Sequence, residues 1–387
     1  MTKLNENFLP AQYEETGRHP INHNYLRRQF ADHQAIFAAF EELLHNTDFT
    51  LGRAVDEFES RICQLTGAAH CVGVGNGTDA IFLSLKAAGI GAGDEVITTP
   101  HTFFATVGAI ATAGARPVFA DIGLDMNLDP ARVAEVVSER TKAIVPVHWA
   151  GLPCDMDALN EIAARHNLVV VEDACHALCA TYKGRNAGRL GTAAAFSMHP
   201  LKNLNVWGDG GFVVTDSQEI RDRLMLLRNH GLLNRDTCQM WAYNSRLDTL
   251  QAIVANHLLS QLPEITERRQ QNAASLRRRL QEIEEVELPL YPEDRTHVYH
   301  LFSFKARNRS ELLPFLTERG IDAKVHYPVP MHLQPASVEY GYRRGDFPVA
   351  EALCDSVVSL PVHQFMQEPD LDTMVDALKE FYARKVR

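Results

Sequence analysis

At 387 residues, the chain exceeds one ordinary domain and can bury an ample core, so it needs neither disulfides nor a structural metal to fold. Its formal net charge of −11, from 38 Lys and Arg against 49 Asp and Glu, excludes the basic surface that non-specific binding to nucleic acid or an anionic membrane requires. The cysteines (Cys63, Cys71, Cys154, Cys175, Cys179, Cys238 and Cys354) are odd in number and scattered, which reads as free thiols in a reducing compartment.

The opening MTKLNENFLPAQYEETG lacks the basic-then-apolar pattern of a signal peptide, and no long apolar run follows, so a cytoplasmic protein is expected. From about residue 65 to 250, short apolar, β-branched runs alternate with helical patterns: CVGV (71–74), EVITT (95–99), PVFAD (117–121), AIVPV (143–147) and LVVVE (168–172). Strands without polar alternation are buried on both faces, which predicts a three-layer α/β/α domain around a mostly parallel sheet, with ligands beyond the strands' carboxyl ends. The stretch 250–285 reads as one long helix leading out of that domain. Beyond it, 297–305 reads as a strand, 310–320 as a helix closed by Gly320, and 350–358 and 368–386 as two more helices, together a small α+β domain. The expected division is 1–255 for the large domain and 256–387 for the connecting helix and small domain.

Three features carry chemistry. In GVGNGTDAIFLSL, Gly77 and Thr78 follow a buried strand and open a helix, where unpaired amides and a hydroxyl suit a phosphate; the plainer reading is a glycine turn with a capping Thr. Asp173, in VVVEDACHA, ends a very apolar strand and can hold a pyridinium proton, or simply cap a following helix. Lys202, in FSMHPLKNLNVWGDGG, lies between an apolar strand and a glycine turn; desolvated there, its neutral amine can condense with an aldehyde, whereas most lysines are solvated. Ser197 offers the same phosphate a hydroxyl. In this order the set matches the phosphate, ring nitrogen and aldehyde of pyridoxal 5′-phosphate.

Several longer segments point the same way: FESRICQLTGAAHCVGVGNGTDAIFLSLKAAGIGAGDEVITTPHTFFAT, AIVPVHWAGLPCDMDAL, VVEDACHA, FSMHPLKNLNVWGDGGFVVT, YNSRLDTLQA, HYPVPMHLQPA and FPVAEALCDSVVSLP. Through them, from about residue 45 to 380, the chain resembles the sugar aminotransferases of the DegT/DnrJ/EryC1/StrS family, which have the type I fold of pyridoxal-phosphate enzymes. The resemblance implies that Lys202 is the Schiff-base lysine, Asp173 the partner of the ring nitrogen and Phe103 the aromatic stacked on the ring. Gly77, Thr78 and Ser197 would bind the phosphate. Asn244 would reach the phosphate site of a neighbouring subunit, making a homodimer with shared active sites, with Arg246 near the interface or in a structural ion pair.

His176 stands where the family often has Gln near the ring's 3′-oxygen. The dehydratase branch carries His in place of the catalytic lysine, so an intact Lys202 implies transamination. The implied donor is glutamate or glutamine, and the implied acceptor a nucleotide-linked keto-deoxysugar aminated at carbon 3 or carbon 4, with HYPVPMHLQPA closer to the carbon-3 members. A keto-cyclitol or small phosphorylated ketone, a sugar dehydratase and a non-catalytic regulator remain alternatives.

The remaining candidates have ordinary readings. CHALC would put Cys175 and Cys179 on one helix face beside His176, but nothing completes a metal set, and no metal is expected. Of the scattered histidines, only His326, with Tyr327, is expected to line the mouth of the site. Trp207 packs for its area or covers the cofactor pocket, and Asp209 shapes the GDGG turn.

Overall fold

The computed structural model describes residues 19–385, and the leader reading of the first seventeen residues therefore lies outside the described residues. Seven strands among them form the central sheet: β1 (His70–Val74), β2 (Glu95–Thr98), β3 (Arg116–Phe119), β4 (Thr141–Ile144), β5 (Val169–Asp173), β6 (Ala193–Ser197) and β7 (Gly211–Thr215). Their order is β1-β7-β6-β5-β4-β2-β3. Only β7 runs antiparallel to its neighbours; the other pairings are parallel.

Alternate residues along these strands feed two separate apolar layers, which is why the runs lack polar alternation. Val170, Phe196 and Phe212 pack with helices Arg53–Thr66, Met156–His166 and Thr249–Leu259. Val171, Ala195 and Val213 pack on the opposite face with helices Gly77–Ala87, Phe104–Thr112 and Gln218–Leu227. The result is the expected three-layer arrangement.

The expected long helix over 250–285 is two helices, Thr249–Leu259 and Leu262–Leu280. Pro263 sits in the first turn of the second, where its missing N–H costs nothing, whereas a continuous helix would need that donor. The expected strand over 297–305 begins only at residue 302. Val298 and Leu301 donate instead to the carbonyls of Gly151 and Ala150, so this segment is tied to the loop that follows β4. The expected helix 350–358 ends at Ser356, and the β-branched pair Val357 and Val358 starts a strand that the sequence reading did not separate from it.

The small sheet thus consists of β8 (Val286–Glu287), β9 (Phe302–Ala306) and β10 (Val357–Leu360), antiparallel with β9 in the centre. Helices Leu262–Leu280, Arg309–Glu318 and Glu368–Lys385 cover it, around a second core that includes Phe304, Leu316, Val358 and Leu378. Ile21 joins that core and bridges Ile321, so the N-terminal side of the described chain packs with the C-terminal elements. No helix among the described residues is long and apolar enough to cross a membrane.

Candidate active site

Beyond the carboxyl ends of the parallel strands lies a cavity of about 800 Å³, lined from both parts of the chain. Lys202, Asp173, His176, Gly77, Thr78, Phe103, Ser197, His326 and Tyr327 all line it. Asn244 does not; it is exposed, one residue before Ser245, whose hydroxyl accepts from Gly75 N at 3.1 Å and donates to Asp79 at 2.7 Å. Arg246 donates to the side-chain oxygen of Asn229 at 3.2 Å.

The anion end is built on helix Gly77–Ala87. Its N-cap is Asn76, whose side chain accepts from Asp79 N at 2.8 Å. Gly77 is the required residue: a Cβ there would meet Ser197 Cβ at 2.6 Å and Cys175 Sγ at 3.1 Å, so only glycine lets the helix start press against β6. Thr78 remains exposed to the cavity side, and the aligned amides and nearby hydroxyls make a phosphate-sized cradle.

At the end of β5, Asp173 is buried at 6 % exposure. Thr106 Oγ1 donates to its Oδ2 at 2.7 Å, and Cys175 N donates to its Oδ1 at 3.3 Å. Since the Thr106 proton is committed, Thr102, whose hydroxyl lies 2.7 Å from Thr106 Oγ1, supplies the proton of that contact. No helix follows Asp173. Residues 174–180 form turns, which removes the capping alternative and also separates Cys175 and Cys179 from any common helix face. No group of three potential metal ligands occurs among the described residues.

Lys202 is half-buried and reaches the cavity. Burial lowers its ammonium below the ordinary lysine range, against the opposing influence of Cys175 and Asp173. His176 and His300 pack against each other with ring centroids 4.3 Å apart and planes tilted by 37°. Burial pushes both imidazoles well below their usual range, and the Nδ1 atom of each is buried without a hydrogen-bond partner. His326, bonded through Nδ1 to Ser359 Oγ at 3.0 Å, is pushed down to about 3 by burial. Phe103 and Tyr327 approach across the mouth with centroids 5.7 Å apart.

The cavity also takes residues the sequence reading passed over. His23, His199, His300 and His363 line it besides His326, correcting the expectation that His326 would be the one histidine at the mouth. Thr106, Tyr25, Arg269 and Lys324 are further additions. Thr106 shares the HTFFAT segment with Phe103, so a signal existed; Tyr25 and Arg269 lie far apart in sequence and carried none. Asp209, expected only to shape its turn, lines the cavity. Trp207 is not among the lining residues; its ring packs 5.3 Å from Phe30 and 5.8 Å from Phe40.

This set fits a phosphorylated aromatic aldehyde. A helix N-terminus closed by an obligatory glycine suits an anion, a buried carboxylate suits a ring N–H, and a lysine of lowered basicity suits an aldehyde.

Residues 31–379 match the family model of the DegT/DnrJ/EryC1/StrS aminotransferases. The chain is 43% identical over 350 residues to the pleiotropic regulatory protein of Geobacillus stearothermophilus, covering 90% of this chain and 94% of that one. It is 40% identical over 359 residues to dTDP-3-amino-3,4,6-trideoxy-alpha-D-glucose transaminase of Streptomyces venezuelae, covering 90% and 95%. The crystal structure of S. venezuelae DesV in complex with a ketimine intermediate superposes with a TM-score of 0.91 at 39% identity, covering 93% of this chain and 98% of that one. With the family's motifs, fold and pocket chemistry all present, the chain belongs to the DegT/DnrJ/EryC1/StrS aminotransferase family and is a pyridoxal-phosphate-dependent transaminase.

Proposed function

We propose that this transaminase moves an amino group from glutamate or glutamine to carbon 3 of a nucleotide-linked keto-deoxysugar, with Lys202 as the attachment point of the cofactor. The observation that carries the reading is the meeting, in one cavity, of a desolvated lysine, a buried carboxylate and a glycine-closed helix start. The similarity to a dTDP-3-amino sugar transaminase supports the acceptor class and the carbon.

When bound, the cofactor supplies an aldehyde that condenses with amines and a ring that withdraws electrons from the carbon bearing the nitrogen. Gly77, Thr78 and Ser197 would hold its phosphate, and Asp173 would accept from its ring N–H. The Thr102–Thr106 chain occupies one oxygen of Asp173 and fixes the carboxylate's plane. Burial lowers the Lys202 ammonium below the ordinary lysine range and so favours the free amine, whose Nζ would bond the aldehyde; once released, the same nitrogen would take a proton from the donor's α-carbon and later return one to the sugar carbon. His176, uncharged at neutral pH, would lie beside a ring oxygen of the cofactor. Phe103 would cover the ring, and His326 and Tyr327 would face the sugar.

Asn244 lies outside its own cavity and close to Trp241, which is 94% exposed. That exposure supports a homodimer in which Asn244 completes the site of the second copy. The test is spectroscopic. Protein loaded with pyridoxal phosphate is expected to show a visible band that glutamate or glutamine bleaches and a nucleotide-linked 3-keto sugar restores, whereas phosphorylated ketones do not. Lys202→Ala is expected to lack the band; a band that survives this substitution overturns the assignment.

A further inference from the structure

Tyr25 is buried at 3% exposure, lies N-terminal to the segment the family model matches, and touches the backbone on which Lys202 is mounted. Its phenol oxygen stands 3.1 Å from the carbonyl of Leu201 and 3.1 Å from that of Lys202. Arg269, from the helix Leu262–Leu280, donates to the same oxygen through Nη2 at 2.9 Å, and Asn205 approaches it at 3.5 Å. The oxygen is thereby saturated: one proton shared between two carbonyls, and its lone pairs turned to two N–H donors.

The remaining contacts make this arrangement directional. Arg269 is buried at 2% exposure, and its other amino group, Nη1, donates to the carbonyl of Tyr299 at 3.1 Å, so the guanidinium is held on a second side. Burial raises the Tyr25 phenol above its usual range despite Arg269, which keeps the hydroxyl a donor. The carbonyls it holds belong to a strained turn, since Leu201 has φ of 75° in the left-handed region that a branched side chain rarely adopts. Asn205 adds a second hold, donating to the Lys202 carbonyl at 2.9 Å. His363 packs on the Tyr25 ring with centroids 5.0 Å apart, which limits its rotation.

We propose that Tyr25 is a positioning residue for Lys202: its phenol, set by Arg269, clamps the two carbonyls at the lysine and fixes how the side chain enters the cavity. This rests on Lys202 being the attachment point. The clamp joins the N-terminal segment and a helix of the second core to the reacting lysine, so the lysine's desolvated placement is imposed from outside its own loop. Without it, the strained turn relaxes and the amine gains freedom to reach water, where its ammonium form is favoured.

The test uses the full chain stripped of cofactor. Lys202 acylation by a small anhydride is followed by peptide mass across pH, with exposed lysines as internal references. In Tyr25→Phe the midpoint for Lys202 is expected to rise by about half a pH unit or more while the reference lysines stay fixed. In the loaded enzyme, kcat is expected to fall about tenfold, with KM for both substrates within about twofold of the parent. An unchanged midpoint in a Tyr25→Phe protein that melts like the parent overturns the proposal. Should Tyr25→Phe not fold, 3-fluorotyrosine at position 25 keeps the shape and strengthens donation. The midpoint is then expected to fall, and no movement overturns the clamp. The two failures separate cleanly, because a visible band surviving Lys202→Ala removes the cofactor assignment, whereas an unmoved acylation profile removes only the role of Tyr25.

Discussion

Glu172 and Asp173 are consecutive carboxylates on β5, and the pleat sends them into two different regions. Glu172 is fully buried on one side, where Leu190 N and Gly191 N donate to Oε1 at 2.8 and 2.7 Å and Gly188 N donates to Oε2 at 2.8 Å. His148 Nε2 adds a bond to Oε2 at 2.9 Å, and its Nδ1 accepts from Cys154 N, so the ring proton is the one pointed at Glu172. Every lone pair of Glu172 is used to hold loops. Asp173 instead faces the cavity with fewer partners: a threonine hydroxyl on one oxygen and a long amide contact on the other. A saturated carboxylate has no lone pair left for a ligand, whereas an undersaturated one at a cavity wall can still accept from one. Residue type alone does not distinguish them.

Three substitutions break or sharpen that contrast. The largest effect is expected from Asp173→Asn, which keeps the shape and removes the charge proposed to face the ring nitrogen. Activity should fall roughly a hundredfold to a thousandfold, while thermal unfolding moves by less than about 1 kcal/mol. A stability loss without an activity loss would reverse the roles assigned to the two carboxylates. Next is Glu172→Gln, whose amide group must face N–H donors it cannot accept from. Urea unfolding is expected to lose about 2–4 kcal/mol, with the specific activity of the folded fraction nearly intact at low temperature. The smallest is Thr106→Val, which removes the donor to Asp173 Oδ2 without touching Glu172. A drop in kcat of about tenfold with unaltered melting would place Thr106 with the cavity, whereas a shift in melting alone would place it with the scaffold.

Much of the fold was legible because burial on both sheet faces leaves a direct mark: residues 169–171 of β5 and the apolar stretches of the other parallel strands lack the polar alternation of a half-exposed sheet. Legibility failed where a competing tertiary bond decided the outcome. Residues 297–301 carry strand-like side chains, yet the amides of Val298 and Leu301 bond Gly151 and Ala150 rather than a sheet neighbour. Val357–Leu360 continues a helical pattern until its β-branched residues find β9. At the site, Lys202, Asp173 and Gly77 could be found because each sits at a junction of strand and turn. His300, Arg269 and Tyr25 could not, since nothing local separates them from residues that merely pack.

By itself the sequence determined the layered α/β architecture, the order of the lysine, carboxylate and glycine motifs, and the family to which they point, because periodicity and short motifs are local properties of the chain. Tertiary structure alone decided which of two adjacent carboxylates faces the cavity, which histidines surround it, and that Tyr25 and Arg269 hold the lysine's backbone. Those outcomes depend on hydrogen-bond partners far apart in sequence, 244 residues for Tyr25 and Arg269, whose geometry exists only after the two cores have closed on one another.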